Sequence, residues 1–86
     1  IVKKMNNVAS GYYVVLGKFK DTKQRDAFIK KVVSEGGTSV NQFYNIYDAT
    51  YYVFLGKYDE LGTATKELSK RGTKSYNKKM KIVQVQ

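Results

Sequence analysis

Residues 12–19 read YYVVLGKF and residues 51–58 read YYVFLGKY, six of eight positions identical across an interval of thirty-nine residues. Each copy is rich in aromatic and β-branched side chains and closes on a glycine, the pattern of a strand bounded by a turn signal. Two strands are therefore expected, Tyr12 to Leu16 ending at Gly17 and Tyr51 to Leu55 ending at Gly56. Behind the first copy, Asp21 and Thr22 are residues that cap a helix. Phe28, Ile29, Val32 and Val33 then fall on one helical stripe before the Gly36-Gly37 stop. Behind the second copy, residues 62–71 place Ala64 and Leu68 on one face of a shorter helix that stops at Gly72.

The remaining segments supply two more strands. One lies within TSVNQFYNIY (38–47), followed by a turn at Asp48-Ala49, and one is the alternating run from Met80 to Val85, reached by a loop through Ser75, Tyr76 and Asn77. The order is β-α-β-β-α-β, so the duplicated stretch marks two copies of one strand-helix unit. Neither unit can cover its own apolar face, and together they predict an α+β fold, the split βαβ arrangement with a four-stranded antiparallel sheet and both helices on one face. Right-handed crossovers place the third strand between the first and second, with the two YYV copies side by side at the centre.

At 86 residues the chain has one core, and an apolar content of 42% is that of a folding sequence. Residues 1–10, IVKKMNNVAS, are mixed and basic and read as a linker or arm preceding a domain over residues 11–86. Sixteen Lys and Arg against seven Asp and Glu give a formal charge of +9, which favours polyanions such as nucleic acid, anionic lipid or wall polymer. No apolar run reaches the ~20 residues of a membrane span, and the first residues lack the pattern of a signal peptide. A chain beginning at Ile1 is expected to be part of something longer.

Alternation sends Val14, Leu16, Val53 and Leu55 toward the helices and leaves Tyr13, Val15, Tyr52 and Phe54 on the opposite face. That face is expected to be open, and open aromatic surface marks a binding site, here for flat polar ligands such as sugar rings or bases. Lys18 and Lys57, at matched positions after the two glycines, and Lys79 and Lys81 near the last strand would form its rim.

Catalysis is not expected. The chain has no histidine and no cysteine, which removes the commonest general base, thiol nucleophile and zinc ligands. Most of its seven carboxylates, Asp21, Asp26, Glu35, Asp48, Asp59, Glu60 and Glu67, fall at helix starts, helix faces or turns. The glycines do not make a phosphate-cradling loop, so no cofactor and no metal are expected.

The repeated unit, aromatic-aromatic-Val-x-Leu-Gly-x-aromatic followed by a helix ending at glycine, resembles the SPOR domain, the sporulation-related peptidoglycan-binding module, over Gly11 to Val85. FYNIYDATYYVFLGKY and YNKKMKIVQV further resemble SPOR-type domains of envelope proteins in Bacteroidota, including those linked to gliding and type IX secretion. The resemblance implies the βαββαβ fold, a periplasmic or cell-envelope location, and binding of glycan strands on the sheet face. The glycans it implies are those of the division septum, stripped of stem peptides. Its glycan-binding positions fall on Tyr13, Val15, Lys18, Thr50, Tyr52, Phe54 and Lys81. Three of these depart from the family: Val15 stands where it often has Gln, Lys18 where it has a small polar residue, and Thr50 where it often has Trp. Either Tyr13, Tyr52 and Phe54 replace the lost stacking, or the ligand differs.

The expected function is thus a non-catalytic peptidoglycan-binding module that targets or anchors a larger envelope protein. Two alternatives remain. An RNA recognition motif shares the βαββαβ order and stacks bases on its first and third strands, although K/R-G-F/Y-G/A-F-V-x-F/Y is absent here, so nucleic acid is the lesser expectation. The face would otherwise dock another envelope protein or a second copy.

Overall fold

The two repeat strands do not stop at their glycines. In the computed structural model, which describes residues 1–36, 40–70 and 80–86, β1 spans Gly11–Phe19 and β3 spans Thr50–Tyr58. They pair antiparallel through the repeat itself: Tyr12 lies opposite Tyr58, Tyr13 opposite Lys57, Val15 opposite Phe54, Lys18 opposite Tyr52 and Phe19 opposite Tyr51. The register shifts by one residue on each side of the Val15–Phe54 pair, so each strand carries a bulge at its own Leu-Gly, Leu16-Gly17 and Leu55-Gly56.

A bulge inserts one residue and reverses which face the following side chains take. Phe19 therefore swings to the helix side, where its ring lies 5.0 Å from that of Phe28. Lys18 moves to the other face, beside Tyr52. The next aromatic folds back over each glycine: a Cβ at Gly17 would stand 3.1 Å from the Phe19 ring, and one at Gly56 would stand 2.9 Å from Tyr58 Oη, so a larger residue at either place requires that ring to shift. What reads as a turn signal in sequence is a bulge signal in the sheet.

The other elements are α1 (Thr22–Gly36), β2 (Asn41–Asn45), α2 (Leu61–Lys70) and β4 (Lys81–Val85). One antiparallel sheet has the order β2-β3-β1-β4, with β3 and β1 central as the repeat predicts. Asp21 caps α1, its Oδ1 accepting from the backbone N–H of Lys23 at 2.6 Å and of Gln24 at 3.4 Å. Val32 is fully buried against Leu16, with Phe28, Val40, Leu55 and Met80 around them, whereas Val33 turns to solvent. Ala64 is the fully buried residue of α2. Its small side chain lets that helix lie close on the sheet. The stops at Gly37 and Gly72 and the loop through Ser75, Tyr76 and Asn77 lie outside the described residues.

The basic segment 1–10 is folded onto the sheet. Val2 forms a parallel bridge with Val85, its N–H donating to the Gln84 carbonyl at 2.7 Å and its carbonyl accepting from Gln86 N–H at 2.9 Å. Met5 bridges Val8 in a tight turn. The Tyr47 hydroxyl donates to the Lys4 carbonyl at 2.9 Å, and the Tyr13 hydroxyl to the Ala9 carbonyl at 2.6 Å. The Ala9 carbonyl is part-buried, where an unpaired carbonyl would be costly, and the bond to Lys4 ties the arm to the β2 end at the surface. At Gly11 the chain turns into β1 with φ of 150°, a conformation that side-chain-bearing residues rarely adopt.

Candidate functional site

The sheet face opposite the helices is not open, and this corrects the sequence-based expectation. Tyr13, Val15 and Tyr52 are buried, at 4%, 1% and 4% exposure, in a second core with Phe43, Val83, Val85 and the arm residues Val2 and Met5. Val8 and Phe54 complete its border, half-buried. The physical reason is plain: a contiguous aromatic face in water is unfavourable, and Val2, Met5 and Val8 supply the apolar cover.

Within this layer the rings are tightly ordered. Phe43 stacks on Tyr52 at 4.9 Å and 22°, while Tyr13 meets Phe43 edge-on at 5.0 Å and Phe54 at 4.7 Å and 90°. Edge and offset contacts of this kind add about 0.5–1.5 kcal/mol each beyond area burial. The Tyr52 hydroxyl donates to Asp48 Oδ2 at 2.7 Å and accepts from Asn45 Nδ2 at 3.3 Å. Burial foremost, and then the Asp48 carboxylate, raise its pKa above the usual tyrosine value, against the opposing pull of Asn45. Burial alone raises that of Tyr13. Thr50 is buried as well, its hydroxyl donating to the Asp48 carbonyl at 3.0 Å, so it shapes the turn before β3 and presents no platform.

The residues expected to bind ligand therefore divide. Tyr13, Val15, Thr50 and Tyr52 are interior, whereas Phe54, Lys18 and Lys81 retain exposure. Lys81 pairs with Val15 across the sheet, and Val15 with Phe54, so these three form one row. Lys18 occupies the neighbouring row opposite Tyr52, with Nζ 5.4 Å from the centre of that ring. Val15, Gly17, Lys18 and Lys81 line an open cleft of about 380 Å³. The two ammonium groups approach closely enough that hydrogen-bond contact with Lys18, then its charge, lower the pKa of Lys81, with a small addition from burial.

A second exposed region lies at the β2 edge. Tyr44, Ile46 and Tyr47 are solvent-exposed there, and Tyr44 packs on Tyr51 at 4.8 Å, which in turn carries the Arg25 guanidinium 4.6 Å from its ring centre. A shallow groove of about 240 Å³ between arm and β2 is lined by Met5, Val8, Phe43 and Ile46 among others. Sequence reasoning passed over Ile46 and Tyr47; their signal was an apolar pair continuing beyond the strand into a turn. Among the described residues no group of His, Cys, Asp or Glu is arranged to hold a metal ion, and no helix is long and apolar enough to cross a membrane. Comparisons with family models, curated proteins and solved structures return no match.

Proposed function

We propose that this domain is a non-catalytic glycan-binding module of the cell envelope, reading peptidoglycan strands and so targeting or anchoring a larger extracytoplasmic protein. The reading is supported by a SPOR-like sequence folded as a βαββαβ sheet. The observation that carries it is the patch the arm leaves uncovered: the half-buried Phe54 ring in one row with Lys81, and Lys18 in the next. A ring with a free edge beside flexible cations suits a sugar, whose apolar face packs on the aromatic while its polar substituents meet the ammonium groups.

The test is co-sedimentation with purified sacculi. Phe54→Ala is expected to weaken retention several-fold while the domain stays folded by circular dichroism. Retention equal to the parent's sinks the patch, and no retention of the parent sinks the reading. An RNA-recognition role loses its platform, since Tyr13 and Tyr52 lie under the arm. Protein docking keeps a specific observation of its own, the exposed Tyr44, Ile46 and Tyr47 at the β2 edge. Under that reading Ile46→Lys abolishes capture of an envelope partner and leaves sacculus binding intact.

A further inference from the structure

The two edges of the sheet are treated differently. The outer edge of β4 is taken up by the arm, where Val2 N–H donates to the Gln84 carbonyl and the Val2 carbonyl accepts from Gln86 N–H. The outer edge of β2 has no such cover. Alternate residues of an edge strand send their N–H and C=O away from the sheet. Among the described residues none of those on β2 has a backbone partner beyond β3. Folded proteins ordinarily guard an open edge with lysine, proline or a bulge. Here β1, β3 and β4 carry Lys18, Lys57 and Lys81, whereas residues 40–47, VNQFYNIY, hold neither a charge nor a proline, and β2 pairs with β3 in unbroken register. The edge is also flanked by apolar surface: Tyr44, Ile46 and Tyr47 are exposed, and the groove of about 240 Å³ lies between β2 and the arm at Met5 and Val8.

What surrounds this uncharged strip is basic. Lys3 Nζ stands 6.0 Å from the centre of the Tyr47 ring, and the Lys4 carbonyl takes the Tyr47 hydroxyl. Lys20 Nζ donates to the Asp48 carbonyl at 3.3 Å, and Arg25 lies over Tyr51, the cross-strand partner of Tyr44. The acids that share these contacts are already engaged, Asp26 by Arg25 at 2.8 Å and Asp48 by the Tyr52 hydroxyl. A second copy of the chain would meet this edge with its own charge of +9, so like charges oppose that pairing.

We propose that the outer edge of β2 is a docking site for an extended acidic segment of a partner protein, which joins the four-stranded sheet as a further strand beside Asn41–Asn45. The inference deepens the docking reading and rests on it; the glycan reading at Phe54 does not enter. Strand addition supplies affinity through main-chain hydrogen bonds and specificity through alternate side chains. One alternate set of the incoming strand faces the arm side, where the groove with Met5, Val8, Phe43 and Ile46 takes apolar side chains. The other set faces the helix side, past Tyr44 toward Arg25 and Lys20, where carboxylates are favoured. The fitting segment therefore alternates apolar and acidic residues.

In the experiment the ¹⁵N-labelled chain is titrated with synthetic heptapeptides that alternate valine with glutamate or valine with lysine. Two further forms of the glutamate peptide are methylated on the amide nitrogens of one alternate set or the other. The glutamate peptide is expected to bind about 10-fold tighter than the lysine peptide, with the largest amide shifts at Asn41 to Asn45. One of the methylated forms should lose binding, because methyl groups on the edge facing β2 remove the ladder hydrogen bonds. Gln42→Glu, at an exposed position of β2, should weaken the glutamate peptide several-fold and leave the spectrum otherwise folded. Binding of neither unmodified peptide overturns the proposal, as does equal affinity for the two, or full binding of both methylated forms. Self-association of the chain in solution that Ile46→Lys removes assigns the edge to a second copy and also overturns it. The docking reading is judged apart from this: methylated peptides that bind fully yet are lost in Ile46→Lys keep a side-chain dock and remove only the added strand. A glutamate peptide bound as expected, while Ile46→Lys still captures the envelope partner, upholds the strand site and removes that partner from it.

Discussion

Met5→Ala tests whether the arm is part of the core. Met5 is 6% exposed and lies over the Phe43–Tyr52 layer, so truncation removes most of a buried Met side chain and leaves a gap above the rings. Large-to-small core substitutions of this type cost about 2–5 kcal/mol. The lower end applies here, because an irregular arm settles into the gap more freely than a strand locked on both sides. About 2 kcal/mol corresponds to a fall of roughly 8–16 °C in Tm for a domain of this size. The assay is urea unfolding followed by circular dichroism, with Asn6→Ala as the control: Asn6 is exposed in the same turn and its change is expected to stay within about 0.5 kcal/mol. Met5→Asp goes further, because a buried unpaired charge drives the arm off the sheet. Trypsin should then cut at Lys3 and Lys4 well before the folded remainder. A Met5→Ala midpoint indistinguishable from that of Asn6→Ala refutes the arm as a core element.

Three other outcomes follow from backbone and burial. Gly11→Ala should destabilise by about 1–3 kcal/mol in the same urea assay, since φ is 150° and the new Cβ would stand 2.9 Å from the Tyr58 carbonyl oxygen. Ala49 has φ of 53° in the turn before β3, so Ala49→Gly should raise stability by about 0.5–1 kcal/mol, read as a higher midpoint. Stability should decline in alkali. The folded-state pKa values of Tyr13 and Tyr52 lie above the unfolded value near 10.0, so the unfolded chain loses protons first and stability falls as pH rises above that value. Tyr13→Phe and Tyr52→Phe should each flatten the pH profile of the urea midpoint between pH 9 and 12, and profiles as steep as the parent's would contradict the assignment.

The layout of the sheet was legible because it depends on signals the sequence repeats: two YYV strands, a capped helix behind the first, alternation in the last strand. What was illegible depended on partners far away in the chain. Gly17 and Gly56 carry the same letter whether a strand ends or bulges, and only the register across β1 and β3 separates the cases. That register decides where Lys18 points, so the cationic pair could not be placed from alternation alone. The arm was hidden for a similar reason. Val2, Met5 and Val8 recur at a spacing of three, which matches no strand and is too short for a helix, and their partners are Phe43, Tyr52 and Val85. The signal available was indirect: an aromatic face expected to be bare, and three apolar residues nearby with no other surface to join.

The arm also explains why two copies of one motif end with different chemistry. The repeat pairs with itself about a pseudo-twofold axis at Val15 and Phe54, so Tyr13 faces Lys57 as Tyr52 faces Lys18. By symmetry the two lysines are equivalent. The first ten residues remove that equivalence, because they pass over Tyr13 and Lys57 on their way into β1: the Tyr13 hydroxyl is tied to the Ala9 carbonyl, and Lys57 to the Ser10 carbonyl and Asp59. The other half receives β4 instead, which brings a second cation, Lys81, beside Lys18 and no acid to balance it. One copy of YYVxLGK is thus absorbed into structure and the other left with unbalanced charge at an open cleft. A module built from a duplicated unit thus carries one close pair of cations rather than two, on the face the arm crosses but at the far end of it.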